Sequence, residues 1–143
     1  MIRVVVDPGV FISVLIGPGG SPPDRVFDAF LAGKVEVVFS PALLAELRRV
    51  AFRPKFRRWF DEARARELIE RLDIQATMLE DPPAVEGATP DPDDDYLIAL
   101  AHASNADAIV SGDSHVHAAD LTVLTPRQLA DQLPEDKAPA SPS

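Results

Sequence analysis

The sequence predicts an α/β protein, a three-layer sandwich with a central, mostly parallel sheet of four to five strands and helices on both faces. Short runs of β-branched residues alternate with longer segments in which apolar residues recur at helical spacing. A chain of 143 residues, 46% of them hydrophobic, is long enough to bury one sizeable core. Because helices separate the strands, we expect right-handed crossovers and parallel neighbours.

Each element has a local signal. The predicted strands are 2–6, 34–40, 76–81, 107–113 and 121–125. The predicted helices are a short turn at 10–17, then 25–33, 42–52, 61–74, 94–106 and 126–133. Helix caps are expected at Ser21 or Asp24, at Ser40 before Pro41 and at Thr125 before Pro126, and Pro54 should end the third helix.

Composition bounds the class of protein. The absence of cysteine excludes a disulfide framework, a thiolate nucleophile and Cys-ligated zinc. No apolar run is long enough for a transmembrane helix, and the first residues predict a strand rather than a signal peptide. We therefore expect a cytoplasmic protein without a membrane partner, with one domain over 1–133 and a disordered tail at 134–143, which lacks bulky apolar residues.

Charge is distributed unevenly along the chain. The net charge is -9, yet residues 48–71 hold nine of the 14 Lys and Arg residues and only four acids. This asymmetry predicts a basic face beside an acidic site, although a solvated, arginine-rich helix surface gives the same pattern. The candidate residues for holding a nucleic-acid backbone are Arg48, Arg49, Arg53, Lys55, Arg57 and Arg58, with Phe56 and Trp59 as candidates for base stacking.

Acidic residues follow two of the predicted strands. Asp7 ends the apolar run of "VVVDPGVFIS", and Asp113 ends "DAIVSGD". Ligands of open parallel sheets bind at the carboxyl ends of the strands, where Glu46 and Asp94 or Asp95 would be added from helices. Alone, each acid is equally a turn former, a helix cap or a solvated residue. Clustered carboxylates repel one another unless a cation is present, and their oxygens favour Mg²⁺ or Mn²⁺.

Four segments resemble a PIN domain: "VVVDPGVFIS", "SPALLAELRRVAFRPKF", "DPDDDYLIALAHASNADAIVSGD" and "LTVLTPRQLADQL". The resemblance covers about residues 1–133 and is closest to the toxins of bacterial toxin–antitoxin pairs related to VapC-type toxins. It implies a metal-dependent endoribonuclease that cuts single-stranded RNA or a tRNA loop to a 5′-phosphate and a 3′-hydroxyl. It also implies Mg²⁺ or Mn²⁺, a cognate antitoxin protein and a homodimer, for which "VFISVLI" and residues 43–52 would supply an apolar interface.

The resemblance also assigns roles. Asp7, Asp113 and either Asp94 or Asp95 would bind metal, and Glu46 would orient a second metal or the attacking water. Comparison of spacing with VapC-type toxins favours Asp95, whereas the closer subgroup keeps an acid at Asp94, so both stay open. Ser111 would support the site by hydrogen bonding.

Two departures from the family pattern keep other functions open. The family's Thr-Asn after the first acid is replaced by Pro8-Gly9, and Pro8 has no N–H. Since lost outer hydrogen bonds cost about 10–100-fold in metal affinity or activity, the alternative is an impaired PIN domain that binds RNA or protein. His115 replaces an acid and forms a pair with His117 that would either reach a metal or phosphate or lie exposed in a loop. A phosphotransfer domain with Asp7 as nucleophile is disfavoured, because Gly9 stands where a second acid is needed.

Overall fold

Five parallel strands form the centre of the fold in a computed structural model that describes residues 1–83, the backbone of 92–94, and residues 95–112 and 120–133. The strands are β1 (Ile2–Val6), β2 (Val35–Phe39), β3 (Thr77–Met78), β4 (Ala108–Val110) and β5 (Thr122–Leu124). The helices are α1 (Pro8–Ile16), α2 (Pro22–Leu31), α3 (Pro41–Ala51), a 3₁₀ helix (Pro54–Arg58), α4 (Glu62–Gln75), α5 (Pro92–Ala103) and α6 (Pro126–Gln132).

The strand order is β3-β2-β1-β4-β5, and each neighbouring pair is parallel. The chain moves outward from β1 to β3 through α1–α4 and then returns across the sheet through α5 to β4. Right-handed crossovers place helices from these two opposite movements on opposite faces. The predicted three-layer α/β architecture is therefore confirmed, and the direction change beside β1 brings β1 and β4 together at the centre.

The core lies on both faces of the central strands. Val4, Val5 and Val6 are fully buried, as expected for a strand that is covered by helices on both sides. Phe11 of α1 packs against Phe39 of β2, with ring centroids 5.7 Å apart. α1 also packs against α3, and both helices begin directly after a strand, at the carboxyl edge of the sheet.

Local capping sets where most helices begin. The side chains of Ser21, Ser40 and Thr125 each accept a hydrogen bond from the third residue of the helix that follows, and each helix has proline in its first turn. Ser21 is therefore the cap of α2, and Asp24 lies within the first turn. Pro54 does end α3 as an α-helix, and a 3₁₀ helix follows.

Several observed boundaries differ from the predicted ones, and α2 begins at Pro22 rather than at residue 25. α1 begins at Pro8, before the predicted turn, because Pro8 occupies the first helical position. β3 has only two residues and β4 ends at Val110, so both strands are shorter than predicted. The tail at 134–143 lies outside the described residues, and within the described ranges no helix is long and apolar enough to cross a membrane.

Candidate functional site

Asp7 lies at the carboxyl end of β1, where two neutral groups hold its carboxylate. Its Oδ1 accepts a hydrogen bond from the backbone N–H of Gly9 at 3.0 Å, and its Oδ2 accepts one from the Ser111 hydroxyl at 3.0 Å. The backbone N–H of Asp7 donates to the carbonyl of Val110 at 2.9 Å, which continues the ladder between β1 and β4. The carboxylate is thus fixed between two strand ends and remains half-exposed.

The Pro8-Gly9 pair is compatible with this geometry. Asp7 is the N-cap of α1, and Pro8 stands at the first helical position, where an N–H has no partner within the helix. Gly9 has no side-chain amide to donate, but its main-chain N–H donates to the carboxylate. A Cβ at Gly9 would lie 3.6 Å from Asp7 Oδ1, which is ordinary contact, so the position does not require glycine on steric grounds.

Asp95 is brought to the same edge by the first turn of α5. It is only 8% exposed. The next residue, Tyr96, is hydrogen-bonded to Ser40, which directly follows β2. Since β1 and β2 are neighbours, this bond places the start of α5 at the strand ends where Asp7 lies.

Tyr96 belongs to a hydrogen-bonded cluster with Ser40 and Asp81. Its hydroxyl donates to Asp81 Oδ1 at 2.6 Å. Burial, followed by the bond to Asp81, raises the pKa of Tyr96 to about 12, so the phenol keeps its proton at any ordinary pH. The same bond, together with the N–H of Ala42, lowers the pKa of Asp81 below its usual range.

Glu46 lies on α3 and is paired with Arg49, one turn further along the helix. Arg49 Nε lies 3.0 Å from Glu46 Oε2, and this hydrogen bond lowers the pKa of Glu46. The two residues were predicted for different roles, catalysis and RNA binding. Their contact shows that the acidic and basic regions meet on α3.

Part of the predicted site lies outside the described residues. These are Asp113, the side chain of Asp94, and the histidines His115 and His117. Within the described part of the chain, no group of three or more acidic or histidine side chains is arranged to hold a metal. The described donors that suit a hard cation are Asp7 and Asp95, and Mg²⁺ usually takes only one or two protein carboxylates.

In the basic segment at residues 48–58, the side chain of Arg57 is enclosed by aromatic rings, whereas most of the other basic side chains are exposed. Arg57 donates from Nη2 to the carbonyl of Ala51 at the end of α3, and its guanidinium lies 5.1 Å from the Phe60 ring centroid and 5.9 Å from that of Phe52. Its Nε and Nη1 are buried without a hydrogen-bond partner among the described residues. Arg57 is therefore a packing residue at this position, and it offers little to a ligand.

The aromatic residues of this segment differ in the same way. Phe56 stacks on the buried Phe60 with centroids 5.8 Å apart, so it contributes to the core. Trp59 is 49% exposed, and the guanidinium of Arg58 lies 4.8 Å from its ring centroid. Lys55 and Arg58 are exposed, as are Arg48 and Arg49, while Arg53 is half-buried.

The two segments expected to form an apolar dimer interface are largely internal. Val10, Phe11 and Leu15 of α1 are buried in the core, as are Leu43 and Leu47 of α3. Among the described residues of α1, Ile16 is the large apolar side chain with substantial exposure, at 38%. The homodimer stays a prediction, but these segments do not supply its interface as expected.

Sequence reasoning named Asp7, Asp94 or Asp95, and Ser111 as site residues but did not name Asp81 or Tyr96. Asp81 accepts from the N–H of Ala42, 39 positions earlier, and no local pattern signals such a bond. Ser40 was predicted as a helix cap, which it is, but its contact with Tyr96 joins residues 56 positions apart.

Comparisons with known proteins agree with this architecture. Residues 3–115 match the profile of a family described as PIN domain. The chain is 31% identical over 113 residues to an uncharacterized protein of Methanocaldococcus jannaschii, covering 78% of this chain and 71% of that one.

Two similar solved structures come from complexes. FitAcB from Neisseria gonorrhoeae has a TM-score of 0.55 at 19% identity, over 86% of this chain and 97% of that one. VapBC2 from Rickettsia felis, bound to a DNA fragment from its promoter, has a TM-score of 0.57 at 12% identity, over 87% of this chain and 98% of that one. At these identities the likeness supports the fold alone.

Proposed function

The chain belongs to the PIN domain family, whose members are generally nucleases, and we propose that it is a metal-dependent endoribonuclease, the toxin of a type II toxin–antitoxin pair. The observation that carries the proposal is the Asp7 carboxylate, held at a strand end by Gly9 N–H and Ser111 hydroxyl. Both donors are neutral, so they orient the carboxylate without cancelling its charge. A cation is the natural partner for a carboxylate prepared in this way.

The residues proposed to hold Mg²⁺ or Mn²⁺ are Asp7, Asp95 or Asp94, and Asp113. When bound, such an ion activates water and stabilises the charge that develops on the phosphodiester. Ser111 keeps Asp7 in one orientation by donating to Oδ2. Glu46, charged and one third exposed beside Arg49, is proposed to orient the attacking water.

The RNA backbone is proposed to lie along the exposed basic residues of α3 and the 3₁₀ helix. Arg48 and Arg49 extend the surface from Glu46 toward Lys55 and Arg58. Trp59 supplies an exposed ring on which an unpaired base can stack. Such a surface suits single-stranded RNA or a tRNA loop, whose bases are accessible. Arg57 is left out of this binding surface, because its guanidinium is enclosed by aromatic rings.

A cognate antitoxin is the proposed protein partner. The support is the fold shared with FitAcB and VapBC2, which were solved as complexes. An antitoxin would block cleavage by covering the acidic site or the basic surface.

The test combines metal titration with RNA cleavage. Mn²⁺ is titrated calorimetrically into the purified protein and into Asp7→Asn, and labelled single-stranded RNA and tRNA are incubated with each protein. Asp107→Asn is the matched control, because Asp107 also accepts a main-chain N–H, from Arg3 at 2.8 Å, but at the opposite edge of the sheet. We expect saturable binding and cleavage to 5′-phosphate ends in the wild type and in Asp107→Asn, and loss of both in Asp7→Asn.

The opposite result favours the second candidate, an impaired PIN domain that binds RNA or protein. Absence of Mn²⁺ binding up to about millimolar metal, with RNA binding but no cleavage, would contradict the nuclease. The observation in favour of the nuclease over this candidate is that Gly9 keeps a hydrogen bond to the acid despite the Pro8-Gly9 replacement.

A further inference from the structure

A hydrogen-bonded cluster beside the acidic site, with Ser40 buried, Tyr96 half-buried and Asp81 exposed, joins three separate elements. Ser40, at the start of α3, is fully buried, and its hydroxyl is hydrogen-bonded to the hydroxyl of Tyr96 in the first turn of α5. Tyr96 also donates to Asp81, which lies in the segment after β3, at 2.6 Å. The cluster therefore links residues from the ends of β2 and β3 to the helix that carries Asp95.

The cluster is anchored on the α3 side by backbone groups. Asp81 Oδ1 accepts the N–H of Ala42 at 3.0 Å, and Ser40 Oγ accepts the N–H of Leu43 at 3.4 Å. These are two of the N–H groups that a helix start leaves without partners inside the helix. The backbone of α3 thereby restrains the side chains of Ser40 and Asp81. The hydroxyl of Tyr96 bonds to both of these side chains.

Apolar packing also holds α5, and the described polar contact between His102 and Asp120 lies at the last turn of this helix, away from Asp95. Leu97, Leu100 and Ala101 are buried in the core, and α5 packs against β1 and β4. Apolar packing of small and aliphatic side chains resists separation but constrains sliding and rotation less than hydrogen bonds do. A small rotation of the first turn would move the Asp95 carboxylate, which adjoins Tyr96 in sequence.

We propose that Tyr96 is a positioning residue, whose hydroxyl, held by Ser40 and Asp81, fixes the first turn of α5 and with it the Asp95 carboxylate relative to Asp7. The inference rests on the proposed function, since it concerns the metal site assigned there. It predicts that the hydroxyl influences metal binding although it is not a ligand. Outer hydrogen-bond partners of this kind typically change metal affinity or activity by about 10–100-fold.

The test is Tyr96→Phe, which keeps the ring and removes the hydroxyl. Its matched control is Thr77→Val, which removes another hydroxyl that donates to a carboxylate, Glu36 Oε2 at 2.6 Å, away from the site. Calorimetric Mn²⁺ titration should give a dissociation constant raised about tenfold or more in Tyr96→Phe and unchanged in Thr77→Val. Hydrogen exchange of the metal-free proteins should be faster at the start of α5 in Tyr96→Phe alone.

A second pair of variants separates positioning from general stability. Asp81→Asn keeps an oxygen that accepts from Tyr96 and Ala42, so it should retain wild-type Mn²⁺ affinity, whereas Asp81→Ala should behave like Tyr96→Phe. The inference is overturned if Tyr96→Phe binds Mn²⁺ as the wild type does, or if Thr77→Val weakens binding equally. If the wild type itself shows no Mn²⁺ binding that Asp7→Asn removes, the proposed function fails, and the positioning role fails with it.

Discussion

Carboxylates have different hydrogen-bond partners at the two edges of the sheet. At the amino-terminal side, the guanidinium of Arg3 bonds Glu36 at 2.9 Å and the carbonyl of Ser104 at 2.6 Å, and Thr77 donates to the second oxygen of Glu36. At the carboxyl edge, Asp7 is held by two neutral donors. Arginine neutralises the carboxylate that stabilises the fold, while the carboxylate proposed for chemistry keeps its charge.

Metal binding should give the largest difference between the edges. At a Mn²⁺ concentration of 100 times the dissociation constant, a bound ion stabilises the folded protein by about 2.7 kcal/mol. We expect this gain in the wild type and in Glu36→Gln, and none in Asp7→Asn, because Asp7 is a proposed ligand and Glu36 is not. Chemical denaturation with and without Mn²⁺ measures it. Equal stabilisation of Asp7→Asn would remove the distinction between the two edges.

The basic segment offers a second contrast of the same kind. Arg57→Met should lower the free energy of unfolding by about 2 kcal/mol, because it removes a charged hydrogen bond to Ala51 and the contacts with two rings. Arg58→Met should change stability by less than about 0.5 kcal/mol but weaken RNA binding and reduce its salt dependence. Urea denaturation and fluorescence anisotropy of labelled RNA separate the two effects. A stable Arg57→Met protein with weakened RNA binding would contradict the assignment.

A substitution at Ser111 tests how the Asp7 carboxylate is held at the carboxyl edge. Ser111→Ala removes the hydroxyl that orients Asp7 Oδ2 and leaves the charge of the acid in place. We expect Mn²⁺ affinity to fall about tenfold, equivalent to about 1.4 kcal/mol. Ser104→Ala is the control, because Ser104 is also buried and donates from its hydroxyl, but to the carbonyl of Ala101 at the other end of α5. Calorimetric titration should give the same Mn²⁺ affinity for Ser104→Ala as for the wild type.

The smallest expected effect concerns pH. The hydrogen bonds from Arg3 and then Thr77 lower the pKa of Glu36, so its folded value lies below its unfolded value. The stabilisation is therefore present at neutral pH and is lost as the pH falls through the folded pKa. Because the pair is partly exposed, we expect a contribution of less than about 1 kcal/mol. The stability difference between wild type and Glu36→Gln should shrink between about pH 7 and about pH 3; a constant difference would refute this account.

Much of the fold is predictable from sequence because its signals are local. Ser40-Pro41 and Thr125-Pro126 mark helix starts through caps that act over three residues. The β-branched run at 2–6 identifies the central strand in the same way. β3 was overestimated because its two residues are defined by pairing with Val38 and Phe39 rather than by their own pattern.

The site is only partly predictable for the opposite reason. The position of Asp7 after a buried strand indicated its place, but not that the main-chain N–H of Gly9 would donate to its carboxylate. A main-chain donor leaves no trace in residue identity, so comparison of side chains alone does not reveal this hydrogen bond. Likewise, the contacts of Tyr96 depend on Asp81 and Ser40, which only the folded chain brings near it.

The cap of α1 has a consequence for the thermodynamics of ligand binding. Both oxygens of Asp7 are already restrained in the metal-free protein, by the helix start and by Ser111. The rotamer freedom of this side chain is therefore lost when the chain folds and not when an ion arrives. Preorganisation of this kind reduces the entropic penalty of ion binding. The Asp7 carboxylate is therefore oriented for an ion as soon as α1 folds.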